Sequence, residues 1–264
     1  MGNGSPLCFT IAFDTLSMEE RRVTNAEQAG MAHGRMGWLE ADPLKFFSGA
    51  AERNKEDIVA VLLKYLGALE SGLVLELGSG SGQHVQRFAQ ALPRIQFQPT
   101  EFAGHPSPRA EKQEVARILG SIAAYCAGSA NVMPPQEQDA TVLAASALVA
   151  DEAVDAVVSI NIIHVSPPAV LQGILAGAGA KLKPGGLLVL YGPFQRDGVI
   201  TGEGNQRFQV MLQELDASFG IRDITEVKAQ AAPFGLSLLE EIHIESSNNY
   251  INVFHKGQAG SGSL

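Results

Sequence analysis

Three glycines at alternate positions, Gly78, Gly80 and Gly82, follow the apolar run Leu73-Val74-Leu75-Glu76-Leu77, and Val85, Phe88, Ala89 and Leu92 then recur at helical spacing. The pattern predicts a buried strand over 73–77, a tight turn, and a helix from about Ser81 or Gly82 to 91. Such a turn can hold a ligand for two reasons. Glycine adopts positive φ and lets the backbone come close, and the free N–H groups of a helix start favour a polar or anionic group. Glu101 stands 23 residues after Gly78, at the tip of a second expected strand over 95–101. A carboxylate there can accept hydrogen bonds from both hydroxyls of a ribose. The chemistry these residues point to is the binding of a nucleotide cofactor.

Spacing narrows the choice of cofactor. A triphosphate loop ends in Gly-Lys-Ser/Thr, whereas Gly82 is followed by Gln83-His84. A dinucleotide fingerprint wants G-x-G-x-x-G, but Gln83 stands at its sixth position and the third glycine comes one place early. The form present, acidic residue–apolar–G-x-G-x-G, resembles motif I of the class I S-adenosylmethionine-dependent methyltransferases. That resemblance implies that Glu76 lies near the methionine end of the cofactor. The rival at this point is a glycine-rich turn that binds nothing.

These residues need elements to position them. Ile58, Val61, Leu62, Tyr65 and Leu66 form an apolar helix face, led in by Ser48-Gly49-Ala50-Ala51-Glu52-Arg53-Asn54. Lying before the first strand, this helix can cover a cofactor cleft and bring Arg53 and Asn54 to its rim; a solvated polar helix start is the alternative. After the strand over 95–101 come a loop at 104–108 and a helix over 109–125. Asn131-Val132-Met133 reads as a short third strand and 134–139 as a polar turn. Asp139 either reaches the adenine amino group or caps the alanine-rich helix that follows. A fourth strand over 153–160 runs into Asn161-Ile162-Ile163-His164-Val165-Ser166-Pro167-Pro168. This loop is a candidate site wall, because ligands of open parallel sheets bind beyond the carboxyl ends of the strands. A helix over 169–182, a turn at 183–186 and a fifth strand over 187–193 follow, with Tyr191 and Phe194 at its carboxyl end. Helices over 205–215 and 223–234 precede two strands, 236–245 and 250–255, joined by a hairpin turn.

The fold class expected is α/β, a Rossmann-like doubly wound sheet whose last strand is antiparallel. Residues 1–45 read as an extension that is partly ordered at most, 46–256 as one domain, and 257–264 as a Gly/Ser-rich disordered tail. The 264-residue chain is 45% hydrophobic and 18% charged, which suits a globular domain. Its net charge of −9 and its lack of a Lys/Arg run disfavour a nucleic-acid partner. Cys8 and Cys126 lie far apart without metal-ligand spacing, so reduced thiols and no zinc site are expected. No apolar run approaches the roughly 18 to 20 residues of a membrane span. With no basic n-region, and Asp14 interrupting the first apolar stretch, cytoplasm is the default location.

Several motifs outside the turn carry a more specific resemblance. Ala50-Ala51-Glu52-Arg53-Asn54-Lys55, Gly78-Ser79-Gly80-Ser81-Gly82-Gln83-His84 and Gln98-Pro99-Thr100-Glu101 belong together. Asn161-Ile162-Ile163-His164-Val165-Ser166-Pro167, Tyr191-Gly192-Pro193-Phe194, Phe219-Gly220-Ile221-Arg222-Asp223 and Asn248-Asn249 complete the set. In order, over about residues 46 to 256, they resemble the methyltransferase-like protein 26 family of class I methyltransferases. The resemblance implies a seven-stranded sheet, S-adenosylmethionine as methyl donor, S-adenosylhomocysteine as product and no metal. The cofactor-binding set expected is Arg53, Asn54, Glu76, Gly78, Gly80, Gly82, Gln83, Glu101, Asp139 and Asn161. Glu101 stands where the family usually has aspartate, so its longer side chain must retract slightly.

Methyl transfer from a sulfonium is an in-line displacement, in which the protein supplies orientation. A nitrogen or oxygen acceptor must also lose a proton. His164, with an ordinary pKa of about 6.5, is the general-base candidate, and a structural histidine is the alternative. Tyr191 can orient the acceptor or meet the sulfonium as a cation–π partner. The N-P-P-[YF] signature of adenine N-methyltransferases is absent, since Asn161 is followed by Ile162-Ile163, and a small-molecule acceptor is expected. Two other readings stand beside this one. An NAD-dependent oxidoreductase needs a glycine where Gln83 stands, and a non-catalytic module would keep the cofactor pocket alone.

Overall fold

The computed structural model describes residues 36–39, 41–102 and 108–258. The expectations for most of the N-terminal extension, for the loop at 104–108 and for the end of the tail lie outside the described residues. Strand β1 (Met36–Trp38) pairs antiparallel with β2 (Phe46–Ser48). Ser48 then caps α1 (Gly49–Leu66): its backbone is extended and its Oγ accepts the Ala51 N–H at 3.2 Å. Strand β3 (Gly72–Leu77), α2 (Gln83–Ala91), β4 (Ile95–Glu101), α3 (Pro108–Tyr125) and β5 (Gln136–Glu137) follow. Next come β6 (Val154–Ile160), α4 (Pro168–Lys181), β7 (Leu182–Gly192), β8 (Phe194–Gln195) and α5 (Glu203–Leu215). The described chain ends with β9 (Arg222–Asp223), α6 (Ile224–Ala231), β10 (Leu236–Ile244) and β11 (Asn249–Lys256).

Seven strands form one mixed sheet in the order β5-β4-β3-β6-β7-β11-β10. β3, β6 and β7 pair in parallel, and β11 runs antiparallel to both β7 and β10. This is the Rossmann-like α/β arrangement with an antiparallel last strand. Its middle strands are apolar on both faces: Val74, Leu75, Val157, Val158, Leu188 and Val189 have no exposed surface. Strands covered on both sides have no reason to alternate in polarity.

The described chain divides into two compact units. One holds Leu73–Leu77 with the described residues from Gln138 on; the other holds the described residues up to Gly72 with those of Gly78–Glu137.

Three expectations are corrected. The third strand is not at Asn131–Met133, where only Val132 bridges Phe97; it is the pair Gln136–Glu137, opposite Thr100 and Glu101, inside the expected polar turn. Pro134 and Pro135 intervene, and proline has no N–H to give a ladder, so regular pairing resumes only beyond them. The fifth strand starts at Leu182, and the expected turn at 183–186 is a bulge within it, with register passing from Val154↔Leu182 to Ala156↔Leu187. Asp155 holds the bulge, accepting from Lys183 Nζ at 2.8 Å and from Leu73 N at 2.7 Å. The alanine-rich segment after Asp139 is a short 3₁₀ helix, Ala140–Ala145, interrupted at Val142, where φ is −117°. It packs tightly against α4. Gly173 and Gly177 of α4 let it approach so closely that a methyl group on either would overlap the Ala140 carbonyl or the Leu143 side chain. Among the described residues, no helix is long and apolar enough to cross a membrane.

Candidate cofactor turn and strand-end cluster

Within the unit that contains α1 to α3, the turn between Gly78 and Gly82 is held from three sides. On the β4 side, Ser79 N donates to Thr100 O at 2.8 Å, and Gly80 N donates to Glu101 Oε2 at 2.9 Å. Glu101 has no exposed surface, and its Oε1 accepts from Phe102 N at 3.0 Å. From α3, Ser121 Oγ donates to Ser81 O at 2.8 Å. Toward α1, Gln83 accepts from Ser48 N at 2.7 Å and donates to Glu52 Oε2 at 2.9 Å.

Gly82 combines two demands. Its φ is 93°, and a Cβ there would lie 2.7 Å from Ile122 Cα. Gly82→Ala therefore meets both a disfavoured backbone conformation and a helix that cannot yield cheaply. The substitution is expected to destabilise the protein by about 2 to 3 kcal/mol and to weaken cofactor binding. Urea unfolding and calorimetric titration check this; an unchanged midpoint and affinity would contradict it.

Several expected site residues turn out to be engaged within the protein. Asn54 is 5% exposed rather than solvated, and its Oδ1 lies 2.7 Å from His84 Nε2. His84 is 8% exposed, and desolvation, followed by the nearby Lys55 charge, lowers its pKa to about 3. Arg53, beside them, is exposed.

In the other unit, β3, β6 and β7 end together: Leu77 lies opposite Ser159, and Ile160 opposite Tyr191. By that register Glu76 and Tyr191 share one face of the sheet, two strands apart. Glu76 is 1% exposed. Tyr191 is nearly as buried, and its hydroxyl accepts from Asn249 Nδ2 at 2.9 Å and lies 3.4 Å from Ser247 Oγ. Asn161 leaves β6 with φ 57°, and its N–H donates to Tyr191 O at 2.9 Å.

His164 is placed differently. A Cβ on Gly192 would come within 3.0 Å of its Cε1, so the ring packs on the side of β7 opposite to the Tyr191 side chain. Phe208 meets the ring edge-on at 5.4 Å. His164 has no exposed surface, and desolvation, then the Arg222 charge, lowers its pKa to about 3. The ordinary value on which the general-base expectation relied does not hold, and the two acceptor-side candidates stand on opposite faces. Asp139 caps the 3₁₀ helix, accepting from Thr141 N at 2.8 Å and Thr141 Oγ1 at 2.7 Å. The capping alternative thus describes its bonds. Among the described residues no group of three His, Cys, Asp or Glu is arranged to hold a metal.

Sequence reasoning passed over Ser121 and Arg222 as structural supports. Ser121 carried a signal, being a hydroxyl on the same turn of α3 as the buried Ile118 and Ile122. Arg222 donates to the carbonyls of Ile163, Ser166 and Ser218, contacts that a linear motif does not disclose.

A family model described as protein of unknown function DUF938 matches residues 45–256. The chain belongs to that family. Solved structures share its fold at low identity. Human N-acetylserotonin methyltransferase in complex with SAM is 13% identical, with a TM-score of 0.60 over 80% of this chain and 53% of that one. An O-methyltransferase family protein from Burkholderia thailandensis is 17% identical, with a TM-score of 0.59 over 80% and 58%. The CurJ carbon methyltransferase is 18% identical, with a TM-score of 0.58 over 80% and 56%. This chain thus spans a little over half the length of each of these neighbours, and what it shares with them is the methyltransferase fold.

Proposed function

We propose that the protein is an S-adenosylmethionine-dependent methyltransferase that moves a methyl group to a small-molecule acceptor. The observation that carries this reading is the bond from Gly80 N to Glu101 Oε2 at 2.9 Å. It fixes a carboxylate at the tip of a parallel strand beside a positive-φ glycine turn, the arrangement that ribose recognition needs. Both Glu101 oxygens accept backbone N–H groups and the side chain has no exposed surface, so holding a ribose diol requires the carboxylate to turn outward and use its remaining lone pairs. The methyltransferases of the same fold and the resemblance to methyltransferase-like protein 26 support the choice of cofactor.

When bound, the sulfonium supplies the electrophilic methyl group. The chain supplies position. Gly78, Gly80 and Gly82 offer backbone at the turn, Glu101 the ribose contact and Arg53 a further polar group for the cofactor. Asn54 and Gln83 act through the partners to which they are bound. Tyr191 orients the acceptor, with its hydroxyl held by Asn249. His164, with no exposed surface and on the face of β7 opposite to Tyr191, is not placed to take the acceptor's proton. Acceptors such as phenols or thiols, which ionise without a strong base, fit better.

The test is turnover of S-adenosylmethionine to S-adenosylhomocysteine across panels of phenols, thiols and amines. Turnover with phenols or thiols, lost in Tyr191→Phe or Asn249→Ala, is expected. A protein that binds the cofactor and turns over no panel member would favour the non-catalytic binding module.

A further inference from the structure

The glycine turn is joined to β2 at two points, and in both the link is a buried side chain. The N–H groups of Phe46 and Ser48, two residues apart on β2, donate to Ser121 Oγ at 2.8 Å and to Gln83 Oε1 at 2.7 Å. Each acceptor then reaches the turn. Ser121 Oγ donates a hydrogen bond to Ser81 O at 2.8 Å, and Gln83 directly follows Gly82. Ser121 has no exposed surface and Gln83 only 4%. The Gln83 amide is further held by Glu52, to which its Nε2 donates at 2.9 Å, and Glu52 is paired with Lys55 Nζ at 2.5 Å. Both ends of the Gln83 amide are therefore engaged by protein groups.

We propose that Gln83 and Ser121 are positioning residues, and that β2 with the first turn of α1 forms a clasp whose grip on the turn sets affinity for the adenosyl cofactor. The proposal rests on the methyltransferase reading above. It assigns a function to the stretch from Phe46 to Lys55, which precedes the first strand of the seven-stranded sheet.

A polarity swap tests it. Gln83→Glu keeps the bond from Ser48 N but sets a carboxylate against the Glu52 carboxylate. Adding Glu52→Gln restores a donor opposite an acceptor. The full chain is titrated calorimetrically with S-adenosylhomocysteine. Q83E is expected to bind about tenfold more weakly than wild type, and the E52Q/Q83E pair to recover to within about threefold. Lys256→Met, which breaks the ion pair with Glu152, serves as a destabilised control whose affinity should stay at the wild-type level. If Q83E fails to fold, Ser121→Ala, which removes the second link without adding charge, is expected to bind about fivefold more weakly. Wild-type affinity in Q83E or, should that variant not fold, in Ser121→Ala overturns the clasp and leaves the cofactor reading intact. So does a double variant no better than the single one. A wild-type protein that does not bind S-adenosylhomocysteine overturns both.

Discussion

Urea midpoints should fall steeply as pH drops from 6.5 to 4.5, with the two buried histidines responsible. His84 and His164 each have a folded-state pKa of about 3, against an ordinary value of 6.5. Above pH 6.5 both are neutral whether the chain is folded or unfolded, and pH has no leverage through them. Below it the unfolded chain takes up a proton at each ring and the folded chain does not. Stability contributed by the neutral rings is thus present above the unfolded value and is lost as pH falls toward the folded one. The slope is about 1.4 kcal/mol per pH unit for each histidine, so two units lower stability by roughly 5 kcal/mol in all. That is comparable to the entire stability of a marginal domain. Ordinary carboxylates titrate mostly below this window, at about 4, so the histidines can be read separately. His84→Gln should remove about half the slope. A midpoint that does not change between pH 6.5 and 4.5 would contradict the burial of both rings.

Removing the Arg222 guanidinium should be nearly as damaging. Its Nε donates to Ile163 O at 2.9 Å, and the same group donates to Ser166 O at 2.5 Å and Ser218 O at 3.2 Å. Two of these carbonyls belong to the loop that follows β6, which carries Asn161 and His164. Gly220 N donates to His164 O at 3.0 Å from the same stretch as Arg222. Arg222→Met leaves three carbonyls without this donor, and about 3 kcal/mol of destabilisation is expected. Arg222→Lys should lose roughly half as much, because one ammonium cannot reproduce a planar fork of directed N–H groups. For a chain of this size about 3 kcal/mol corresponds to a melting temperature lower by roughly 6 to 12 °C. Equal stability of the Lys and Met variants would contradict a directional role.

What the sequence disclosed depended on how local the cause was. Strand β4 occupies the segment read for it, residue for residue, because its pattern is bounded by Pro93 before it and a Gly/Pro-rich sequence after it. β6 and β10 are displaced by one residue at an end, the ordinary uncertainty of a strand terminus. The third strand failed where two prolines divided the pairing segment, and the start of β7 failed where Lys-Pro-Gly-Gly has every mark of a turn yet is bound to β6 through Asp155. The site shows the same division. The glycine turn and Glu101 are legible from types and spacing alone. That Asn54 and Gln83 are engaged with His84, Ser48 and Glu52 is not, because each partner lies about 30 or more residues away. His164 could be placed on a loop after a strand, but its weak basicity comes from burial against β7 and Phe208, which no linear pattern records.

The most direct test of the methyltransferase account is calorimetric titration with S-adenosylmethionine, S-adenosylhomocysteine and NADH, repeated on Glu101→Ala. Affinity for the two sulfur ligands in the micromolar range, absent for NADH and reduced by about a hundredfold in the variant, is the result expected. Failure to bind either sulfur ligand, or a preference for NADH, would contradict it.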